Sequence, residues 1–158
     1  MTTLLVCGSR ALGAHTRWVE AQVLRALADV WSLGPVTVVT GDARGPDEDA
    51  HRMAGKLLAI RYRFTLAGVI EGEVLDRRHW ARWLPSTPPD DWYEPTRRPL
   101  VRNAAMVQWV ASQPGERRCL ALVAPWSVTH GTEHTAALAE RAGIPTTRVT
   151  YTAEETRR

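Results

Sequence analysis

Apolar and polar positions along this chain fall into two alternating rhythms. Two short runs, Leu4-Leu5-Val6-Cys7 and the β-branched Val36-Thr37-Val38-Val39-Thr40, are apolar or β-branched at consecutive positions, and each stops at a glycine. Such runs suit strands covered on both faces. Between them Val19, Val23, Leu27 and Val30 recur at helical spacing, which predicts a helix over residues 16–31 with Thr16 as its N-cap and Gly34 and Pro35 as its stop. After the second run, Pro46 suits a first helical position and Asp47, Glu48 and Asp49 a first turn. Ala50, Met53, Ala54, Leu57 and Leu58 then mark a buried helical face. Residues 59–66 alternate as a third strand. A helix opened by Pro99 is predicted over 100–112, with Met106, Trp109 and Val110 inward, and a strand over 119–124. Thr132 is placed as the cap of a helix ending at Gly143, and 145–149 forms the last strand. Strands alternating with helices make an α/β fold with a mainly parallel sheet. The pattern predicts one domain over residues 1–150 and a charged, frayed tail over 151–158.

Between residues 67 and 99 the rhythm loses definition. Residues 69–75 fit either a hairpin strand or a helix start. Pro85, Pro88, Pro89, Pro95 and Pro99, with Asp90 and Asp91, mark an irregular insertion. Trp80, Trp83, Trp92 and Tyr93 argue against simple disorder, because aromatics seldom stay solvated in such numbers. Cover for the sheet edge or a subunit interface is favoured over base stacking.

Composition changes this picture little. The chain has 158 residues, 44% of them hydrophobic and 23% charged, as expected for a soluble globular domain. There is neither an apolar run of membrane-spanning length nor a signal-peptide pattern, so a cytoplasmic location without membrane contact is expected. Cys7 and Cys119 fall inside apolar runs and are expected to be reduced core residues, with no CxxC or metal-ligand spacing. The net charge is +3, yet lysine occurs only at Lys56 and the arginines are scattered, which weighs against a nucleic-acid interface.

The candidate chemistry lies in the loops that follow strands. In a parallel sheet these loops meet at one edge, where ligands bind. The first is Gly8-Ser9-Arg10: a small residue, a hydroxyl and a bidentate cation. The second runs from Gly41 through Asp42, Arg44 and Gly45 to Asp47, which either caps the helix or contacts a ligand. Arg102 and Asn103 are placed in the first turn of their helix, where a cation opposes the helix dipole unless it meets an anion or a salt bridge to Asp42 or Asp47. The last loop runs from Pro125 through Trp126, Ser127 and His130 to Gly131 and Thr132 at a helix start that can receive an anion.

These four motifs occur in an order that resembles the SLOG superfamily, the Rossmann-like group that contains the DNA-processing Smf/DprA proteins and the Lonely-guy phosphoribohydrolases. The likeness is greatest to its small stand-alone YspA-like branch and covers residues 4–149 apart from the insertion. The resemblance implies a Rossmann-like three-layer domain with a pocket for a nucleotide-derived small molecule. It implies that Gly8, Ser9, Arg10, Gly41, Gly45, Asp47, Arg102, Asn103, Gly131 and Thr132 line that pocket and that Gly131-Thr132 holds phosphate, and Asp42, Arg44 and Trp126 in the same loops are further ligand-binding candidates. The Lonely-guy enzymes carry Pro-Gly-Gly-x-Gly-Thr-x-x-Glu at this point. Here Ser127 to His130 replace most of the glycines, Thr135 stands in the glutamate's place, and Glu133 comes two residues early, about 200° away around a helix.

Three readings of function follow. The first is a sensor or sequestering module for a nucleotide-derived ligand. The second is a nucleotide-processing hydrolase of phosphoribohydrolase type, with Asp47, Glu133 and His134 as candidate catalytic residues. The third is DNA binding of DprA type. No metal site and no cofactor are evident, Mg²⁺ being expected only with a bound phosphate. Homo-oligomerisation is expected from the resemblance and the tryptophans.

Overall fold

The structure is a computed structural model that describes residues 1–57, 60–74, 77–128 and 130–153, and of residue 91 the backbone alone. The buried run near the N-terminus forms β1 (Thr2–Gly8), and its alternation explains why every position is apolar or small. Leu4 and Val6 enter one core cluster while Leu5 and Cys7 enter a second on the opposite face. The first cluster is closed by α1 (Thr16–Trp31) and α2 (Pro46–Leu57), which supply Trp18, Val19, Val23, Leu27, Val30, Ala50, Met53 and Ala54. The second is closed by α3 (Arg98–Ser112) and α4 (His130–Arg141), through Met106, Val107, Val110, Ala136 and Ala139. Helices on both faces of a sheet give three layers.

The sheet contains β2 (Val36–Gly41), β3 (Ile60–Phe64), β4 (Val69–Val74), β5 (Arg77–Arg82), β6 (Glu116–Val123) and β7 (Thr146–Thr150) beside β1. Its order is β5-β4-β3-β2-β1-β6-β7. The β3-β2-β1-β6-β7 part is parallel, whereas β4 and β5 are antiparallel to their neighbours. From β1 the chain crosses to β2 on one side, and from β6 it crosses to β7 on the other. The topological switch point therefore lies at the C-terminal ends of β1 and β6, where an open α/β sheet leaves a crevice.

Several boundaries differ from the sequence expectation. Helix α1 begins at Thr16 itself, preceded by His15 with no side-chain cap. Helix α3 begins at Arg98, so Pro99 is its second residue and Arg102 and Asn103 lie beyond its first turn. Helix α4 begins at His130, which makes Thr132 its third residue and not its cap, and it ends at Arg141. Strand β6 starts three residues earlier than expected, at Glu116. The insertion is irregular only in part. It opens with the β4–β5 hairpin, which extends the sheet, and only residues 83–97, with a short 3-10 helix Asp90–Tyr93, lack strand or long helix. In this stretch Trp92 is buried and Trp83 packs on Phe64 and Trp92 with ring centroids 6.5 and 5.4 Å away. The expectations for Leu58, Ala59, Leu75, Thr129 and residues 154–158 lie outside the described residues. No helix among the described residues is long and apolar enough to cross a membrane.

Candidate functional site

Glycine ends both β1 and β2, and in each case a close approach requires it. A Cβ at Gly8 would sit 2.5 Å from Pro46 Cβ, so this glycine admits the first residue of α2 against the end of β1. A Cβ at Gly41 would sit 2.6 Å from Asp47 Oδ2 and 2.7 Å from Arg102 Cζ. The two glycines thus allow a charged pair to settle onto the ends of the two strands. The buried Asp47 carboxylate accepts the backbone amides of Gly8 and Gly41. It therefore pins β1 to β2 from within α2 and does not cap the helix.

Arg102 is 3% exposed. One Nη donates to Asp42, while Nε and the other Nη donate to Asn103 Oδ1 at 3.0 and 2.7 Å. Asp42 Oδ2 also accepts the amide of Leu66 at 2.8 Å, tying α3 to the β2 and β3 ends. Of the two roles open to Arg102 in the sequence, the structure displays the salt bridge to Asp42. Burial raises the pKa of Asp47 to about 6, an upward pressure only partly offset by the Arg102 charge and the two amides.

Around this pair lies a cavity of about 380 Å³ at the switch point. Gly8, Ser9 and Arg10 line it from β1, Asp47 from α2, Arg102 and Asn103 from α3, and Gly131 and Thr132 from α4. These loops and helices come together from four separate parts of the chain. Gly131 has nothing within 4 Å of its Cβ direction, so the first turn of α4 opens on free space. Four helix amides lack intrahelical partners at such a terminus, and the dipole there favours an anion. Arg10 is exposed, and Ser9 and Thr132 bring hydroxyls. Asn103 spends its carbonyl oxygen on Arg102, which leaves its amide nitrogen as the donor. Among the described residues Asp47 is the single carboxylate in the lining, so the wall they form is rich in donors and poor in acceptors.

Other candidates stand elsewhere. Gly41 and Asp42 lie behind the wall, holding Asp47 and Arg102. Arg44 and Gly45 are outside the lining. Trp126 is 53% exposed and outside the lining, and it packs edge-on against His15 and Tyr151 with ring centroids 5.4 and 5.1 Å away. Glu133 accepts from Arg148 Nε at 3.1 Å on the outer face of α4, and His134 is also outside the lining. Thr135, in the place of the glutamate, is buried in the wall and donates its hydroxyl to the Gly131 carbonyl at 2.8 Å. The reading of single residues missed Ser127 and His130 as lining, although both lie in the loop it singled out. Thr96, Pro99 and Leu100 also line the cavity, and no local pattern announces them. Among the described residues no cluster of His, Cys, Asp and Glu could hold a metal ion.

Comparison with models of known families, with curated proteins and with solved structures finds no match to this chain.

Proposed function

We propose that the protein binds a nucleotide or nucleotide-derived small molecule in the switch-point cavity, as a sensor or sequestering module. The observation that carries this reading is a cavity of about 380 Å³ that meets the first turn of α4, with Arg10 and Asn103 as further donors and one buried carboxylate. A donor-rich wall at a helix start is matched by phosphate, and the size suits a molecule of nucleotide dimensions. The phosphate would sit on the Gly131-Thr132 turn with Arg10 as its mobile cation. Arg102, locked by Asp42 and Asn103, shapes the wall and supplies a fixed positive field. The order of the motifs, which resembles the SLOG superfamily, supports the same reading.

A second reading rests on Asp47. A carboxyl group with a pKa of about 6 at a cavity wall is suited to moving a proton, as hydrolysis of a nucleotide bond requires. One experiment separates the two. AMP, ATP, NAD, ADP-ribose and cyclic dinucleotides are incubated with stoichiometric protein, ultrafiltered and chromatographed. Retention of one compound unchanged, weakened about tenfold or more by Arg10→Ala, is the expected result. A new base or sugar-phosphate peak that disappears in Asp47→Asn establishes the hydrolase instead. Retention of none of the compounds removes the binding reading.

A further inference from the structure

The β4–β5 hairpin takes no part in that cavity, yet it holds the most unusual surface of the molecule. β5 is the outermost strand, hydrogen-bonded to β4 on one side, and all six of its residues are exposed. Residues 60–82 carry five arginines against three acids, an excess of two in a chain whose net charge is +3.

The register sets these charges in rows that cross the strands. Arg61 stands opposite Glu73, which stands opposite Arg78. Arg63 stands opposite Glu71, which stands opposite Trp80. The inner pairs are closed: Arg61 Nη2 donates to Glu73 at 2.5 Å and Arg63 Nε to Glu71 at 2.8 Å. Arg78, Trp80 and Arg82 share that face at alternate positions. None of the three side chains makes a salt bridge or hydrogen bond among the described residues. Arg78 and Trp80 border a trough of about 390 Å³ with the closed pairs and His51. Trp80 itself is 64% exposed. Charge alternates from β3 to β4 to β5 and then stops at an open edge.

Charged residues on an edge strand guard it against chance pairing. A guard does not need an exposed indole, however, so protection alone leaves Trp80 unexplained. A second copy is a poor occupant. Antiparallel pairing of two β5 strands about His79 and Trp80 sets Arg77 against Arg82 at both ends, and a register centred on Trp80 sets Arg78 against Arg82. Like charges directly opposite are destabilising. What continues the rows is a strand with acids opposite Arg78 and Arg82 and an apolar side chain opposite Trp80. Such a strand also satisfies the free backbone groups of the edge, which a nucleic acid does not.

We propose that β5 is a docking edge for an extended acidic segment of a partner protein, added to the sheet as an eighth strand with the pattern acid-x-apolar-x-acid against Arg78, Trp80 and Arg82. Arginine forks hold the carboxylates, and the backbone ladder holds the strand.

The test uses the full chain and a short fluorescein-labelled peptide centred on Glu-Thr-Phe-Thr-Glu, followed by fluorescence anisotropy. Saturable binding is expected, weakened about tenfold by Arg78→Glu with Arg82→Glu. That double variant is expected to bind the Lys-Thr-Phe-Thr-Lys counterpart, which the parent rejects; loss of folding cannot imitate this gain. N-methylation at alternate peptide residues is expected to abolish binding by breaking the ladder. The proposal is overturned by absence of binding, by equal binding of a permuted Glu-Glu-Phe-Thr-Thr peptide, or by binding that survives N-methylation. An oligothymidylate of the same charge that binds more tightly, and loses that affinity in Trp80→Ala, overturns it in favour of single-stranded nucleic acid.

Discussion

Two glycines show how differently the same residue serves this molecule. Gly41 is fixed by Asp47 and Arg102, whose atoms lie 2.6 and 2.7 Å from where a Cβ would stand. Neither side chain can retreat, because Asp47 is held by two amides and Arg102 by Asp42 and Asn103. Gly41→Ala is therefore expected to cost about 2–3 kcal/mol in urea unfolding. Gly131 faces open space. Gly131→Ala is expected to stay within about 0.5 kcal/mol of the parent while weakening ligand retention, since the methyl enters the cavity and not the core. Equal destabilisation by the two substitutions would contradict this division of roles. The cysteines allow a second test at this scale. Hydrogen bonding with Cys119, then burial, pushes the Cys7 thiol well above its ordinary range. Both thiols are buried, so neither is expected to react with a soluble disulfide reagent at mild alkaline pH until urea unfolds the chain.

At the scale of elements, a buried ion pair between Arg102 and Asp42 ties α3 to the end of β2. Removing Asp42 leaves a buried guanidinium with Asn103 as its hydrogen-bond acceptor and the charge of Asp47 nearby, and frees the Leu66 amide. Asp42→Ala is expected to cost about 3 kcal/mol, measurable as a lower urea midpoint at unchanged slope. This dependence was only half legible in the sequence. Arg102 was visible as a misplaced cation, and the salt bridge was one of two readings, but its partner lies sixty positions away and no periodicity connects them. The parallel strands were easy to read because both faces are buried, which forces consecutive apolar residues on β1, β2 and β6. For residues 69–75 the hairpin strand was one of two readings, and β4 takes it; its partner β5 was hidden for the opposite reason. β5 is exposed on both faces, so Arg77-Arg78-His79-Trp80-Ala81-Arg82 carries no apolar alternation for a reader to detect. Of the two strand-end glycines, Gly8 lines the cavity and Gly41 lies behind its wall, and the reason for both is contact with Pro46, Asp47 and Arg102, which only the folded chain supplies.

For the molecule as a whole, two groups one turn apart on α2 set opposing pH dependences. Burial raises Asp47 to about 6, so the folded chain holds this proton more tightly than the unfolded one. Alone, that makes stability fall as pH rises from about 4 to about 6. Burial, then the charges of Arg61 and Arg63, lowers His51 to about 4, and its Nδ1 has no partner among the described residues. Alone, this makes stability rise with pH over nearly the same window, because the unfolded imidazole takes a proton that the folded one refuses. At pH 5 the folded protein carries its proton on Asp47 and the unfolded chain carries it on His51, so the proton counts match and the two slopes cancel. Asp47→Asn removes one half of that balance. Its stability is expected to climb between pH 4.5 and 6 by up to about 1.4 kcal/mol per pH unit, the slope of one proton. His51→Gln removes the other half, and its stability is expected to decline across the same range. The double variant is expected to return to the profile of the parent. Urea unfolding followed by tryptophan fluorescence at several pH values measures all four. Parallel profiles for the parent and both single variants would show that these groups keep ordinary affinities for protons, and that the cavity wall is wetter than its packing indicates.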